Sequence, residues 1–345
     1  MKDTELDIEL KNCTFVKTVL MLVVVFYHSM LFWSGTWFTK NPVFKADLLN
    51  VIASWLDTFH VYGFTLVSGY IFYYLKEENG KYVQFTGFIK SKIKRLILPY
   101  FFVTIIWVAP HNYIWNEFDL VLAIEKYLLG YAPSQLWFLL MLFNVFILAW
   151  LLSVFLIKYD LGAIFVGIIF VGIGLLGSYF FPNYFQIWTS FKYIIFFIVG
   201  FKLRQNSPKF LMKIPCFIWV ISSLIMFYAS NLLRQNEFII CKILSLGFTF
   251  GGNIIGALMS FFVLQKVAWK MPFFNKMLVK YLSEYSMTIY LFHQQFIYWF
   301  ISAFNGIINP YLHVIVSFVG AIMCSVLLSK ILKKYQLTRF LIGEK

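Results

Sequence analysis

Apolar residues run along this chain in long blocks, without the alternation of a half-buried strand. Stretches such as Phe15–Trp33, Ile218–Phe227 and Ile254–Leu264 are largely apolar on all helical faces. A helix of that kind is buried in a large core or in lipid. About 20 mostly apolar residues make one membrane crossing. The blocks predict ten such helices: 15–33, 48–74, 95–115, 135–157, 161–181, 187–203, 214–232, 239–264, 282–303 and 310–332. The break at Lys158–Asp160 is short, so the fourth and fifth helices are expected to form a tight hairpin. The sixth is weak because Lys192 interrupts it, although a lysine one turn inside a helix end can snorkel to the interface.

Composition agrees with this pattern. The chain has 345 residues, of which 61% are hydrophobic and 13% charged. Its mean hydropathy is +0.78. Soluble domains carry about 25% charged residues, so a water-soluble fold of this length could not hide so much apolar surface. The net charge of +14 raises the question of nucleic acid. The basic residues sit between the apolar blocks, however, and no nucleic-acid-binding motif appears. Placing the N-terminus in the cytoplasm puts 23 of the 29 basic residues inside and 5 outside, with Lys192 within a helix. Lysine and arginine favour cytoplasmic loops. The reading is an all-α integral membrane protein, a polytopic bundle of about ten transmembrane helices with both termini cytoplasmic. It spans 1–345 as a single membrane domain and is expected in the plasma (cytoplasmic or inner) membrane, surrounded by membrane lipids.

The longest hydrophilic stretch, Lys76–Arg95, carries six basic residues on the inside. It has a turn signal at Asn79-Gly80, and its end from Phe88 to Leu96 is amphipathic enough to lie along the membrane surface. Cys13, Cys216, Cys241 and Cys324 form no metal or disulfide pattern, so no metal is expected. The first apolar block lacks the flanks of a cleaved signal peptide and reads as a retained helix.

Ionisable groups inside a bilayer are costly and mark candidate functional positions. Here they are His28, Asp57, His60 and His293, with Lys192 and Glu284 near helix ends. At 1.5 Å rise per residue, the three histidines lie about 20, 21 and 17 Å from the inner ends of their helices. Each alone reads first as a satisfied polar group bonded across helices. Their common depth on three helices points to acid–base chemistry, for which imidazole is suited near neutrality. Asp57 precedes His60 by three residues, which on a continuous helix puts both on one face. It either orients an imidazole or pairs with a neighbouring helix. Lys17 and His28 are eleven residues apart, close to three turns, with His28 about 16 Å deeper. That spacing matches a donor with charged phosphates at one end and a thioester at the other, although Lys17 also reads as a boundary anchor.

Several local patterns then fall into order. They are Lys17 followed by an aliphatic run to His28; Phe59-His60-Val61 with Ser68-Gly69; Phe88 to Lys92, Arg95 and Pro99-Tyr100; Leu136-Trp137-Phe138; and Ser286 to Tyr290 and His293. Over residues 15–295 the chain resembles the acyltransferase 3 family of integral membrane acyltransferases. An aspartate frequent in that family near the first pattern is Thr14 here, and Lys92 stands where arginine is common. The resemblance implies O-acyl transfer, often acetyl from acetyl-CoA, to hydroxyls of surface polysaccharides or lipid-linked sugar precursors. It implies catalysis by His28 and donor-binding or structural roles for Lys92 and Arg95. With the depth argument, the candidate catalytic set is His28, Asp57, His60 and His293, and the candidate set for the acyl-CoA donor is Lys17, Lys92 and Arg95. The expected partners are acyl-CoA and a glycan or lipid-linked sugar acceptor. Two other classes remain open, a polysaccharide exporter or flippase and a proton-coupled small-molecule transporter. Transport would favour Gly/Pro-broken helices in matched halves.

Overall fold

The computed structural model describes residues 5–35, 37–115 and 119–344. Every regular element among them is helical. Helix α1 (Glu5–Met30) starts well before the apolar block at Phe15. Its polar first turns are held by neighbours: Tyr70 Oη donates to Glu9 Oε2 at 2.7 Å, and Gln265 Nε2 donates to the Glu9 carbonyl at 2.8 Å. Loop 31–46 leads to α2 (Asp47–Asp57) and α3 (His60–Tyr73).

The block 48–74, expected as one helix, is therefore two, and Asp57 and His60 do not share a continuous helix face. The break at Thr58-Phe59 contains neither Gly nor Pro. Its loose backbone ends are satisfied by side chains instead. His60 Nδ1 donates to the Leu56 carbonyl at 2.8 Å, and Thr58 Oγ1 donates to the Trp55 carbonyl at 2.7 Å. Unpaired backbone groups would be expensive in lipid, so such side-chain partners are what let a spanning helix break.

Helix α4 (Phe85–Ile114) runs unbroken, with two wider π-helical turns at Ile93–Ile97 and Thr104–Val108. The amphipathic stretch expected at the membrane surface is the first part of this rod. Phe88, Lys92 and Leu96 are buried, and Phe88 packs against Phe72, Tyr82 and Phe146. The chain continues through α5 (Trp137–Lys158), α6 (Asp160–Phe180), α7 (Ile187–Asn206), α8 (Cys216–Arg234) and α9 (Ile239–Lys270). It ends with α10 (Pro272–Leu282), α11 (Ser286–Phe304), α12 (Pro310–Leu332) and α13 (Gln336–Leu341). The short turn between α5 and α6 is present, but α6 packs chiefly on α7 rather than folding back on α5.

Eight helices among the described residues are long and apolar enough to cross a membrane. The two expected crossings outside that set are the α2–α3 pair, which is broken, and α11, whose apolar character is diluted by His293, Gln294 and Gln295. Both carry candidate site residues, so local departure from ideal span character coincides with the chemistry. The protein is an all-α, polytopic membrane protein.

Close helix approach in lipid relies on small residues, because lipid tails compete with any apolar side chain. The α3–α7 crossing shows this. A Cβ on Gly69 would lie 2.0 Å from the Phe197 carbonyl oxygen, and one on Gly200 would lie 1.8 Å from that of Leu66. At one end of the bundle Arg204 grips both carboxylate oxygens of Glu78 at 2.7 and 2.6 Å. Lys202 meets Asp160 there at 2.5 Å. Helices α6 and α8 leave long apolar side chains exposed on the outside of the bundle.

Candidate functional site

A cavity of about 720 Å³ is lined by α1, α3, α4, α5 and α11, together with α2's last residue and the loops at Trp37 and Ser134. That is within the roughly 300–1,000 Å³ of small-molecule sites. Lys17, His28, Asp57, His60, Lys92 and Arg95 all line it. His293 does not, but its ring bonds to one that does. The seven residues singled out in the sequence are thus gathered around one space.

The histidine pair defines its chemistry. His293 Nε2 lies 3.0 Å from His28 Nδ1. His293 Nδ1 lies 3.0 Å from the Ile289 carbonyl and 2.9 Å from that of Tyr290. A carbonyl only accepts, so Nδ1 of His293 carries the hydrogen. In a neutral imidazole the other nitrogen is then bare, so His293 Nε2 accepts and His28 Nδ1 donates. The same reasoning leaves Nε2 of His28 unprotonated, a lone pair on a side chain that lines the cavity. That is the state a general base requires. His293 is fully buried, so the pair is held in one arrangement.

His60 stands on the other side of Tyr27, with ring centroids 4.6 Å apart. Its Nδ1 is committed to the Leu56 carbonyl across the helix break. Its first role is therefore to cap α2, and only Nε2 remains for the cavity. Asp57 is exposed, yet its carboxylate is hydrogen-bonded to Tyr27 of the neighbouring α1 and also acts electrostatically on His60. The other two histidines stand apart. His313 is buried among Phe32, Trp33 and Phe304, and His111 rests on Trp107 and Trp299.

The basic end of the cavity is built differently. Lys92 is buried, with Nζ 3.4 Å from the Phe146 ring centroid, 4.9 Å from Tyr82 and 5.5 Å from Phe88. Aromatic faces attract a desolvated cation by about 2 kcal/mol. Arg95, Lys17 and Lys81 lie close enough to Lys92 to repel it. Among the described residues no ion pair engages Lys17, Lys92 or Arg95; the carboxylate of Glu284, which also lines the cavity, lies 3.6 Å from Lys333. Mutually repelling cations around one space are suited to a polyanion.

Tyr27, Trp37, Ser134 and Gln294 are among the lining residues that were not singled out by sequence. Gln294 had a usable signal, since an amide next to His293 in a spanning helix is a polar group in lipid. Trp37 and Ser134 had none, because loop packing alone places them. Trp37 stacks on His28 with centroids 5.8 Å apart and meets Tyr298 at 4.9 Å. Beside it, Gln135 Nε2 donates to the Leu291 carbonyl and to Gln295 Oε1, both at 2.8 Å, and Tyr290 Oη donates to the Gln135 carbonyl.

Comparison with known proteins gives one family. The sequence profile described as an acyltransferase domain matches residues 11–330. No curated protein and no solved structure matches the chain. The matched segment holds every residue of the cavity wall, from Thr14 to Gln294. The chain belongs to the acyltransferase 3 family, as a multi-pass membrane acyltransferase.

Proposed function

We propose that the protein moves an acyl group, in the first instance acetyl, from cytoplasmic acyl-CoA to a hydroxyl of a surface polysaccharide or its lipid-linked precursor, in the plasma membrane. The observation that carries this reading is that one cavity joins a basic cluster, without an ion pair among the described residues, to a histidine with a bare Nε2. The CoA phosphates sit at Lys17, Lys92 and Arg95, and the pantetheine arm follows α1 inward. Three helical turns separate Lys17 from His28, about 16 Å along the axis. The cavity also supplies an apolar wall for the arm through Phe64, Phe72, Phe138 and Leu142.

In the transfer step, Nε2 of His28 takes the proton of the acceptor hydroxyl while its oxygen attacks the thioester carbonyl carbon. The tetrahedral intermediate collapses with cleavage of the carbon–sulfur bond. The proton on Nε2 passes to the departing sulfur, which leaves CoA as the free thiol and the base as it began. During the step His28 is cationic, and its Nδ1–H donates to His293 Nε2. That bond fixes the tautomer beforehand and stabilises the charge as it develops, so His293 is a positioning residue.

Transport shares one feature with this fold, a broken helix at the site. The break here joins Thr58 and Phe59 and is sealed by His60, and the matched family is one of acyltransferases. The test is His28→Ala in purified protein supplied with labelled acetyl-CoA and native-cell membranes. Transfer should fall by about 10²–10⁴-fold, the worth of a general base, while the folded yield is retained. Near-normal transfer would overturn the assignment.

A further inference from the structure

Trp37, Ser134 and Gln294 also line the cavity, with Trp37 stacked on His28. Gln294 is buried, and its Nε2 donates to Tyr298 Oη at 2.5 Å. Its Oε1 has no partner among the described residues. Of the buried side-chain atoms left unpaired there, Gln294 Oε1 alone belongs to a residue of the cavity wall. A buried amide with one end unused is stable only when something else bonds to it. Either assignment of the amide leaves one end unpaired, since Tyr298 engages only one.

Two other features of this wall agree. Ser134 has a φ of 54°, a left-handed conformation that is uncommon for serine. It is held there by its neighbour: Gln135 is bonded by side chain and carbonyl to α11. Strain that the surroundings over-determine tends to lie where a side chain must be aimed. Ser134 thereby reaches the cavity wall, and its hydroxyl is hydrogen-bonded to that of Tyr298. Trp37 closes the apolar side and touches both His28 and Tyr298. A continuous contact path therefore links the base to Tyr298 and so to Gln294.

We propose that Gln294 and Ser134, with Trp37 as the apolar wall, form the acceptor subsite, reading hydroxyls of a sugar next to the one that is acylated. The proposal rests on the acyl-transfer reading and names where its second substrate lies. A polyol suits the site because the unused amide end and the serine hydroxyl supply separate polar contacts beside an aromatic face. A simple alcohol would leave the amide end unpaired, and sites built to bond a hydroxyl discriminate strongly against analogues lacking it.

The experiment uses Gln294→Leu and Ser134→Ala. Native-cell membranes supply the acceptor, and labelled acetyl-CoA is titrated against each purified variant. Label is then counted in the organic-extractable glycolipid and in the aqueous polysaccharide. The two fractions distinguish a lipid-linked precursor from a finished chain. Gln294→Leu should lower maximal transfer by roughly tenfold or more, with the KM for acetyl-CoA within about twofold of the unaltered protein. Ser134→Ala should shift in the same direction by less. Unchanged maximal transfer in both variants overturns the subsite, as does a loss that appears as a raised donor KM. If the unaltered protein labels neither fraction and cleaves no acetyl-CoA, the failure is that of the acetyl-transfer reading itself.

Discussion

Nε2 of His28 is bare because of where the second histidine sits. His293 has both its own Nδ1 and the Nδ1 of His28 fixed by bonds, so the tautomer of His28 is settled by the residue directly behind it. Replacing His293 by Leu should therefore cost activity out of proportion to the cavity it leaves. His293→Gln offers an amide oxygen to the same Nδ1–H and should recover part of the loss. The check is kcat for both variants at matched folded yield. Equal loss in the two would reduce His293 to packing. Lys92 is a second residue-scale case. Its aromatic cage holds the cation where Arg95 and Lys17 repel it. Lys92→Ala with Arg95→Ala should raise the KM for acetyl-CoA with a smaller effect on kcat. Unchanged donor kinetics would leave these charges as signals of topology alone.

At the scale of helices, two devices place the site. One is the α2–α3 break, which turns the chain between Asp57 and His60 and is sealed by His60 itself. The other is the α3–α7 crossing at Gly69 and Gly200, which brings the helix of His60 against the centre of the bundle. Gly200→Ala places a methyl group at 1.8 Å from the Leu66 carbonyl oxygen, so the helices must separate. Overpacking costs about 1–3 kcal/mol, occasionally more. A clear fall in the thermal unfolding midpoint of solubilised protein is the expected outcome. Gly172→Ala, where nothing lies within 4 Å of the added methyl, is the control and should unfold like the unaltered protein.

For the whole molecule, orientation decides which substrate enters where. From the basic asymmetry we infer that segment 74–84 and the basic mouth of the cavity face the cytoplasm and that the loop around Asn41 faces outside. In a version with the four native cysteines replaced by serine, a cysteine at Asn79 should label only after permeabilisation. One at Asn41 should label in intact cells. Reversed labelling would put the basic cluster on the wrong side for a cytoplasmic donor, and the proposed route of acyl-CoA would fail.

Much of this was legible in the chain itself. Apolar blocks long enough to cross lipid force helices, because a backbone in hydrocarbon must bond to itself. Few ionisable groups tolerate that setting, so His28, Asp57, His60 and His293 stood out before any contact was visible. The pattern of Lys17 and His28 on one helix survived intact, since helical spacing is a local property. Tertiary structure alone decided the rest. A helix break without Gly or Pro has no local signal, because His60 and Thr58 stabilise it through bonds that exist only once the chain has turned. Lys92 and Phe88 read as surface residues until Phe146 and Tyr82, brought from other segments, buried them. Trp37 and Ser134 lie in loops, whose positions follow from what the helices around them leave open. The state of His28 likewise depends on a bond to α11, 265 residues away in sequence. Spacing along one helix can say which residues face the same way, but a proton's position is set by partners that only folding supplies.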